Sequence, residues 1–228
     1  MVERIGPNLV VFDLETGGFK ADNNPLVEVS FICYDTITGQ EVGRYESIVK
    51  PYYEHPITKA PLEYTSGAMN VHGITIEKME EEGKDLKIVL KEILAFLKLI
   101  KLKGRFGKPM IAGHSILNFD IPFLSTIMDW FKIDWLKELN EMPLDTMHLF
   151  RVIHPQTTKH DPTAPVSDHK LETCCNAVGV KLTNAHRASA DVEANGQMIL
   201  ALLNMMRGGV VHGAIEDSIE NGSQPFKF

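Results

Sequence analysis

Apolar residues arrive in short runs along this chain, and the spacing inside each run separates strands from helices. Leu9 to Phe12 is apolar and stops at Asp13, with Gly17-Gly18 close behind, the pattern of a buried strand that ends in a tight loop. From Leu26 to Tyr34, Leu26, Glu28, Ser30 and Ile32 alternate with Val27, Val29, Phe31 and Cys33, which predicts a second strand. Gly39-Gln40 then supplies a turn into a third, through Tyr45 to Val49. Prolines and small residues dominate from Pro51 to Gly73, so this stretch reads as an irregular excursion with one helical turn near Pro61 to Gly67. Leu86, Val89, Leu90, Ile93, Leu97 and Ile100 step by three and four residues, placing one apolar stripe on a helix from Asp85 to Lys101.

Met110 to Ala112, between Pro109 and Gly113, predicts a further buried strand. A helix follows in which Pro122 suits the first position and Phe123, Ile127 and Trp130 recur at helical spacing. Helical spacing also covers Asp145 to Ile153, His169 to Val178 and Ala188 to Met206, with a proline- and threonine-containing loop from His154 to Ser167. Strands first, then helices around one more strand, predict a single α/β domain with a mixed sheet over residues 1–206. The tail, 207–228, has no periodicity and is expected to fray.

Composition narrows the function classes. Lys and Arg number 23 against 30 Asp and Glu, a net charge of −7, which excludes a protein that coats nucleic acid with a broad basic surface. Any polyanion must be gripped locally. Hydrophobic content of 44% with 23% charged residues is that of a folding chain. Lysines interrupt even the segment from Leu86 to Leu102, so no run approaches the roughly 20 apolar residues of a membrane span. Glu3, Gly6 and Pro7 break up any signal-peptide core, and a cytoplasmic protein with no membrane partner is expected. Cys33, Cys174 and Cys175 are too few and too unevenly spaced for a disulfide framework and read as buried thiols.

The candidate chemistry lies in the acids. Asp13 and Glu15 sit two positions apart at a strand end, so both carboxylates point to one face. Such a pair is a solvated loop edge or, if desolvated, an arrangement that needs a cation. Asp120 follows His114-Ser115-Ile116-Leu117-Asn118-Phe119 at a helix start, where it is a cap or a ligand. Asp191 opens the last major helix behind His186, with the same two readings. Four carboxylates without matching thiolates suit Mg²⁺ or Mn²⁺ better than zinc. A zinc site from His154, His160 and His169 is disfavoured, since their spacings fit no compact ligand set.

Together these residues resemble the DEDDh family of 3′–5′ exonucleases, which includes the proofreading epsilon subunit of bacterial DNA polymerase III. Phe12-Asp13-Leu14-Glu15-Thr16-Gly17-Gly18 is similar to the family's first motif, Asn118-Phe119-Asp120 to its second, and His186-Arg187-Ala188-Ser189-Ala190-Asp191 to its third. Val71-His72-Gly73-Ile74, and Leu144-Asp145-Thr146 followed by His169-Lys170-Leu171, agree as well. The resemblance runs from Leu9 to about Met206 and implies an RNase H-like fold with a five-stranded sheet flanked by helices. It implies that Asp13, Glu15, Asp120 and Asp191 hold two divalent cations, Mg²⁺ or Mn²⁺, with Asp13 bridging them and His186 as general base. Thr16, Gly17, Gly18, His72, His114, Ser115, Asn118 and Phe119 are then the expected substrate contacts, the glycines admitting the terminal nucleotide because they lack a Cβ. Where the family commonly has His-Asn this chain has His114-Ser115, a hydrogen-bond donor of shorter reach.

The activity so implied is hydrolysis of single-stranded or frayed DNA 3′ ends to nucleoside 5′-monophosphates, with a DNA polymerase or another replication or repair protein as a further partner. An exoribonuclease trimming RNA 3′ ends is the alternative, because the same site cuts either sugar. A non-catalytic module that binds nucleic acid or a polymerase is a third reading, but it would be expected to lose carboxylates or the histidine, and all five are present.

Overall fold

The computed structural model of the protein describes residues 8–103, 107–153, 168–183 and 185–207. Its centre is a mixed five-stranded sheet of β1 (Asn8–Thr16), β2 (Leu26–Asp35), β3 (Glu41–Ile48), β4 (Met110–Gly113) and β5 (Leu144–Asp145), in the order β3-β2-β1-β4-β5. The first three strands form an antiparallel meander, and β4 and β5 add in parallel on the other side of β1. This is the expected fold class, and β1 is its middle strand.

The alternation along β1 divides the core in two. Val10, Phe12 and Leu14 face α3 (Leu86–Lys103), whose stripe Val89, Leu90, Ile93, Leu97 and Ile100 packs on them together with Phe31 and Trp135. Leu9 and Val11 face the opposite way, with Ile32 and Tyr34 of β2, toward Val192 and Ile199 of α7 (Ala188–Met206). By the two-residue period of a strand, Asp13 and Glu15 continue the row that meets α7, as Glu28 and Ser30 do on β2. A hydrophobic row that turns acidic at its end delivers its carboxylates to the start of α7.

Several boundaries differ from the sequence reading. β3 starts at Glu41, because Asp35 Oδ1 accepts from the backbone of Ile37 and Thr38 and closes the turn early. The helical turn anticipated near Pro61 to Gly67 lies further on, as the helix α1 (Ser66–His72), capped by the Thr65 hydroxyl. A further short helix capped by Thr75, α2 (Ile76–Glu82), was not expected. α4 is Asp120–Trp130, which makes Pro122 its third residue instead of its first. Asp145 ends β5, paired with Gly113, and α5 begins at Thr146 and runs to Ile153. α6 is Leu171–Ala177, and α7 has the expected bounds. The expected loop from His154 to Ser167 and the expected tail from Gly208 lie outside the described residues. Among the described residues no helix is long and apolar enough to cross a membrane.

Candidate metal and catalytic site

Asp13, Glu15 and Asp191 converge: each offers a carboxylate oxygen within 4.8 Å of the others. The two strand acids come from one face of β1, and Asp191 reaches them from the first turn of α7. Asp120 arrives from a third direction. Pairing between β1 and β4 ends at Val11, and beyond it Asp120 Oδ1 accepts from Leu14 N at 3.1 Å, tying the start of α4 to the strand between Asp13 and Glu15. Asp120 is 3% exposed and Asp13 and Glu15 are half-buried.

Burial of so many acids has an electrostatic signature. Desolvation first, and then Asp120, Glu15 and Asp191, push the Asp13 carboxyl well above its ordinary value. Burial, then Asp191 and Glu28, raise Glu15 to about 8. Burial raises Asp120 to about 7 against the hydrogen bond from Leu14 N. Asp191 is raised by burial, against the His186 hydrogen bond. Asp191 Oδ1 is buried without a hydrogen-bond partner. Acids that resist ionisation beside an orphaned carboxylate oxygen are what a hard divalent cation would relieve, and oxygen donors are the set it prefers. The residues fit such a cation.

A stability prediction follows. Glu15 and Asp120 hold protons in the folded chain up to about 8 and about 7, against ordinary carboxyl values of 4.5 and 3.8. The folded state therefore binds more protons than the unfolded one, and stability falls as pH rises through those values. His72 and His114, held neutral by burial, oppose this only at lower pH. In EDTA the melting temperature should drop between pH 6.5 and 8.5, and Mn²⁺ should raise it more at pH 8.5 than at pH 6.5. A flat or rising profile in EDTA contradicts this electrostatic account.

His186 lies on the exposed side of the cluster. Its φ of 66° is left-handed, and its backbone N–H donates to Asp191 Oδ2 at 3.2 Å, so the loop is bent back onto the acid it precedes. With Asp191 it lines a cavity of about 680 Å³ whose wall also carries His114, Arg151, His169 and Lys170. The two cations on that wall were not singled out from the sequence.

The expected substrate contacts divide. Asn118 is exposed and Phe119 half-buried in the segment that leads into Asp120; Phe119 packs edge-on against Phe19, with ring centroids 6.4 Å apart. Phe19 is 87% exposed, an aromatic that the sequence reading passed over although it directly follows Gly18. His114 instead spends both ring nitrogens inside the protein, Nδ1 with Thr146 Oγ1 at 3.0 Å and Nε2 with the His169 carbonyl at 2.8 Å. Ser115, at φ 64°, donates its backbone N–H to Asp145 Oδ1. His72 is buried, its Nδ1 accepting from Ile74 N and its Nε2 without a hydrogen-bond partner among the described residues.

Gly17 and Gly18 stand against neighbouring segments of the chain itself. A Cβ on Gly17 would stand 2.9 Å from Pro25 Cδ and 3.2 Å from the Glu63 carbonyl, and one on Gly18 2.6 Å from the Asn24 amide. The missing Cβ at each position admits these segments. Gly17 N donates to the Pro25 carbonyl, and its own carbonyl accepts from Thr65 N at 2.7 Å, while the Thr16 hydroxyl donates to the Gly18 carbonyl.

The RNase T family of proteins, described as exonucleases, matches residues 10–199. The PolC-type DNA polymerase III of Bacillus cereus is 26% identical over 215 residues, 93% of this chain and 13% of that protein. That of Oceanobacillus iheyensis is 28% identical over 198 residues, 86% of this chain and 11% of the relative. The chain thus spans a small fraction of the curated relatives it matches. Among solved structures, E. coli exonuclease I in complex with a dT13 oligonucleotide superposes with a TM-score of 0.69 at 18% identity, covering 89% of this chain and 42% of that one. Exonuclease I bound to the C-terminus of SSB gives 0.67, also at 18% identity, with the same coverage of each chain. At that identity the likeness establishes the fold.

Proposed function

Because this chain belongs to the RNase T exonuclease family, we propose that it hydrolyses the terminal phosphodiester at the 3′ end of single-stranded or frayed DNA, releasing nucleoside 5′-monophosphates. The observation that carries the reading is the convergence of Asp13, Glu15 and Asp191 within 4.8 Å, with His186 bent back onto Asp191. DNA is favoured over RNA because the relatives are DNA polymerases and a structural neighbour holds a dT13 strand. The same relatives support a replication or repair partner and a cytoplasmic setting.

In this reading Asp13, Glu15, Asp120 and Asp191 would hold two divalent cations, Mg²⁺ or Mn²⁺. Bound there, such cations supply Lewis-acid stabilisation of charge at the phosphate and at the leaving oxygen. His186 takes a proton from the attacking water, the water oxygen bonds to phosphorus, and the P–O3′ bond breaks. The freed 3′ oxygen then takes up a proton from solvent. The Asp191 contact to the His186 N–H holds the backbone so that the imidazole stays beside the acids. Arg151 and Lys170, on the cavity wall, are placed to offset phosphate charge despite the negative total charge of the chain. Phe19 and Phe119 present aromatic faces for the terminal bases.

Two measurements test this. With a 3′-phosphate in place of the 3′-hydroxyl, mononucleotide release from an oligonucleotide should slow strongly; rapid release from the blocked end contradicts the polarity. Phe19→Ala should raise KM for a short oligonucleotide by about 5-fold or more, the equivalent of about 1 kcal/mol of base stacking, with little change in kcat. An unchanged KM removes Phe19 from the substrate path.

A further inference from the structure

Glu28 stands directly across from Glu15 in the register of β1 and β2, on the side of the sheet that meets α7. It is 6% exposed, a buried carboxylate beside the four acids of the site, and its charge contributes to the raised proton affinity of Asp13, Glu15 and Asp191. Left unpaired, such a group is costly. Here both oxygens are engaged: Arg187 Nη2 donates to Oε1 at 2.7 Å, Arg187 Nε to Oε2 at 3.2 Å, and the backbone N–H of Ala188 to Oε2 at 3.0 Å.

The partners are the residues on which the catalytic geometry turns. Arg187 is the N-cap of α7 but makes no side-chain cap of its own, so a carboxylate from a different strand takes the first helical N–H. The Arg187 carbonyl accepts from the Asp191 N–H at 3.0 Å. The residue before it is His186, held at φ 66°. One guanidinium thus fastens the candidate base, the helix start and the ligand Asp191 to the sheet that carries Asp13 and Glu15. A lysine would supply the charge without the planar fork.

We propose, on the basis of the functional reading above, that Glu28 and Arg187 are a positioning pair with two duties. The fork fixes the His186-to-Asp191 segment against the strand acids, and it occupies a fifth carboxylate that would otherwise compete for the cations. Neither residue touches the reacting atoms.

The test compares Arg187→Ala, Arg187→Lys and the double variant Arg187→Ala/Glu28→Gln with the wild type, each checked for folding by circular dichroism. Mn²⁺ binding is measured calorimetrically without nucleic acid, and kcat and KM on a single-stranded oligonucleotide. Arg187→Ala should lower kcat about 10- to 100-fold, the usual scale for groups behind metal ligands, with KM within about 3-fold. Both alanine variants lose the fork, so the duty of Glu28 is read between them: Arg187→Ala should bind Mn²⁺ at least about 3-fold more tightly than Arg187→Ala/Glu28→Gln, because it keeps a freed negative charge beside Glu15. Adding Glu28→Gln should not restore kcat, and Arg187→Lys should keep Mn²⁺ affinity within about 3-fold of wild type yet lose kcat about 10-fold. A folded Arg187→Ala with wild-type kcat, or with the same Mn²⁺ affinity as Arg187→Ala/Glu28→Gln, overturns the proposal, as does a kcat loss that only tracks the unfolded fraction. If Arg187→Ala does not fold, full kcat in Arg187→Lys overturns it. A wild-type protein that degrades neither DNA nor RNA would refute the functional reading instead, and the Mn²⁺ comparison would still decide the pair.

Discussion

Asp13→Asn is expected to lower the rate of mononucleotide release by at least about 10³-fold, equivalent to about 4 kcal/mol of transition-state stabilisation. Asp13 is the acid whose proton affinity is raised by the largest set of like charges, from Asp120, Glu15, Asp191 and Glu28, and it offers a carboxylate oxygen within 4.8 Å of those of Glu15 and Asp191. Asparagine keeps the shape and removes the charge that would bridge two cations. The same change takes one carboxylate out of a repelling group, so the metal-free variant should melt higher than the wild type at pH 8.5. Loss of activity together with a gain in metal-free stability separates a ligand from a residue that merely holds the fold. A variant that keeps most of its activity would remove Asp13 from the chemistry.

His186→Asn should lower kcat by about 10²- to 10⁴-fold, the range for loss of a positioned general base, while Mn²⁺ binding to the protein changes little. Asparagine suits the test because it tolerates the left-handed backbone at φ 66°, where alanine would add strain of its own. The backbone N–H that holds Asp191 Oδ2 is untouched by the change. Turnover that survives the substitution would show that His186 carries no proton in the reaction.

Much of this site could be read along the chain because β1 carries it in a two-residue period. Leu9, Val11, Asp13 and Glu15 form one row, and the point where the row changes from apolar to acidic is visible without coordinates. Asp120 and Asp191 were legible as helix-start acids, and the structure brings both to that row. What stayed hidden depends on partners distant in sequence. Glu28 reads as one polar position in an alternating strand, and its role emerges only when Arg187, far along the chain, folds onto it. Asp145 reads as the start of a helix, yet its carboxylate accepts from the backbone of Ser115, Leu117 and Met147, holding the loop before Asp120. His72 and His114 fit a substrate-contact motif, but the sequence does not show that His72 is buried or that both ring nitrogens of His114, on the cavity wall, are engaged by Thr146 and His169. Gly17 and Gly18 show the same limit, since which surface needs the missing Cβ depends on where Pro25, Glu63 and Asn24 come to rest.

The most direct test is a time course of the purified chain on 5′-labelled single-stranded DNA and RNA of identical sequence, with Mg²⁺, with Mn²⁺ and with EDTA. The account predicts a ladder that shortens one nucleotide at a time from the 3′ end, faster on DNA, and that EDTA abolishes. Cleavage that persists in EDTA, or a labelled mononucleotide released first from the 5′ end, would contradict it.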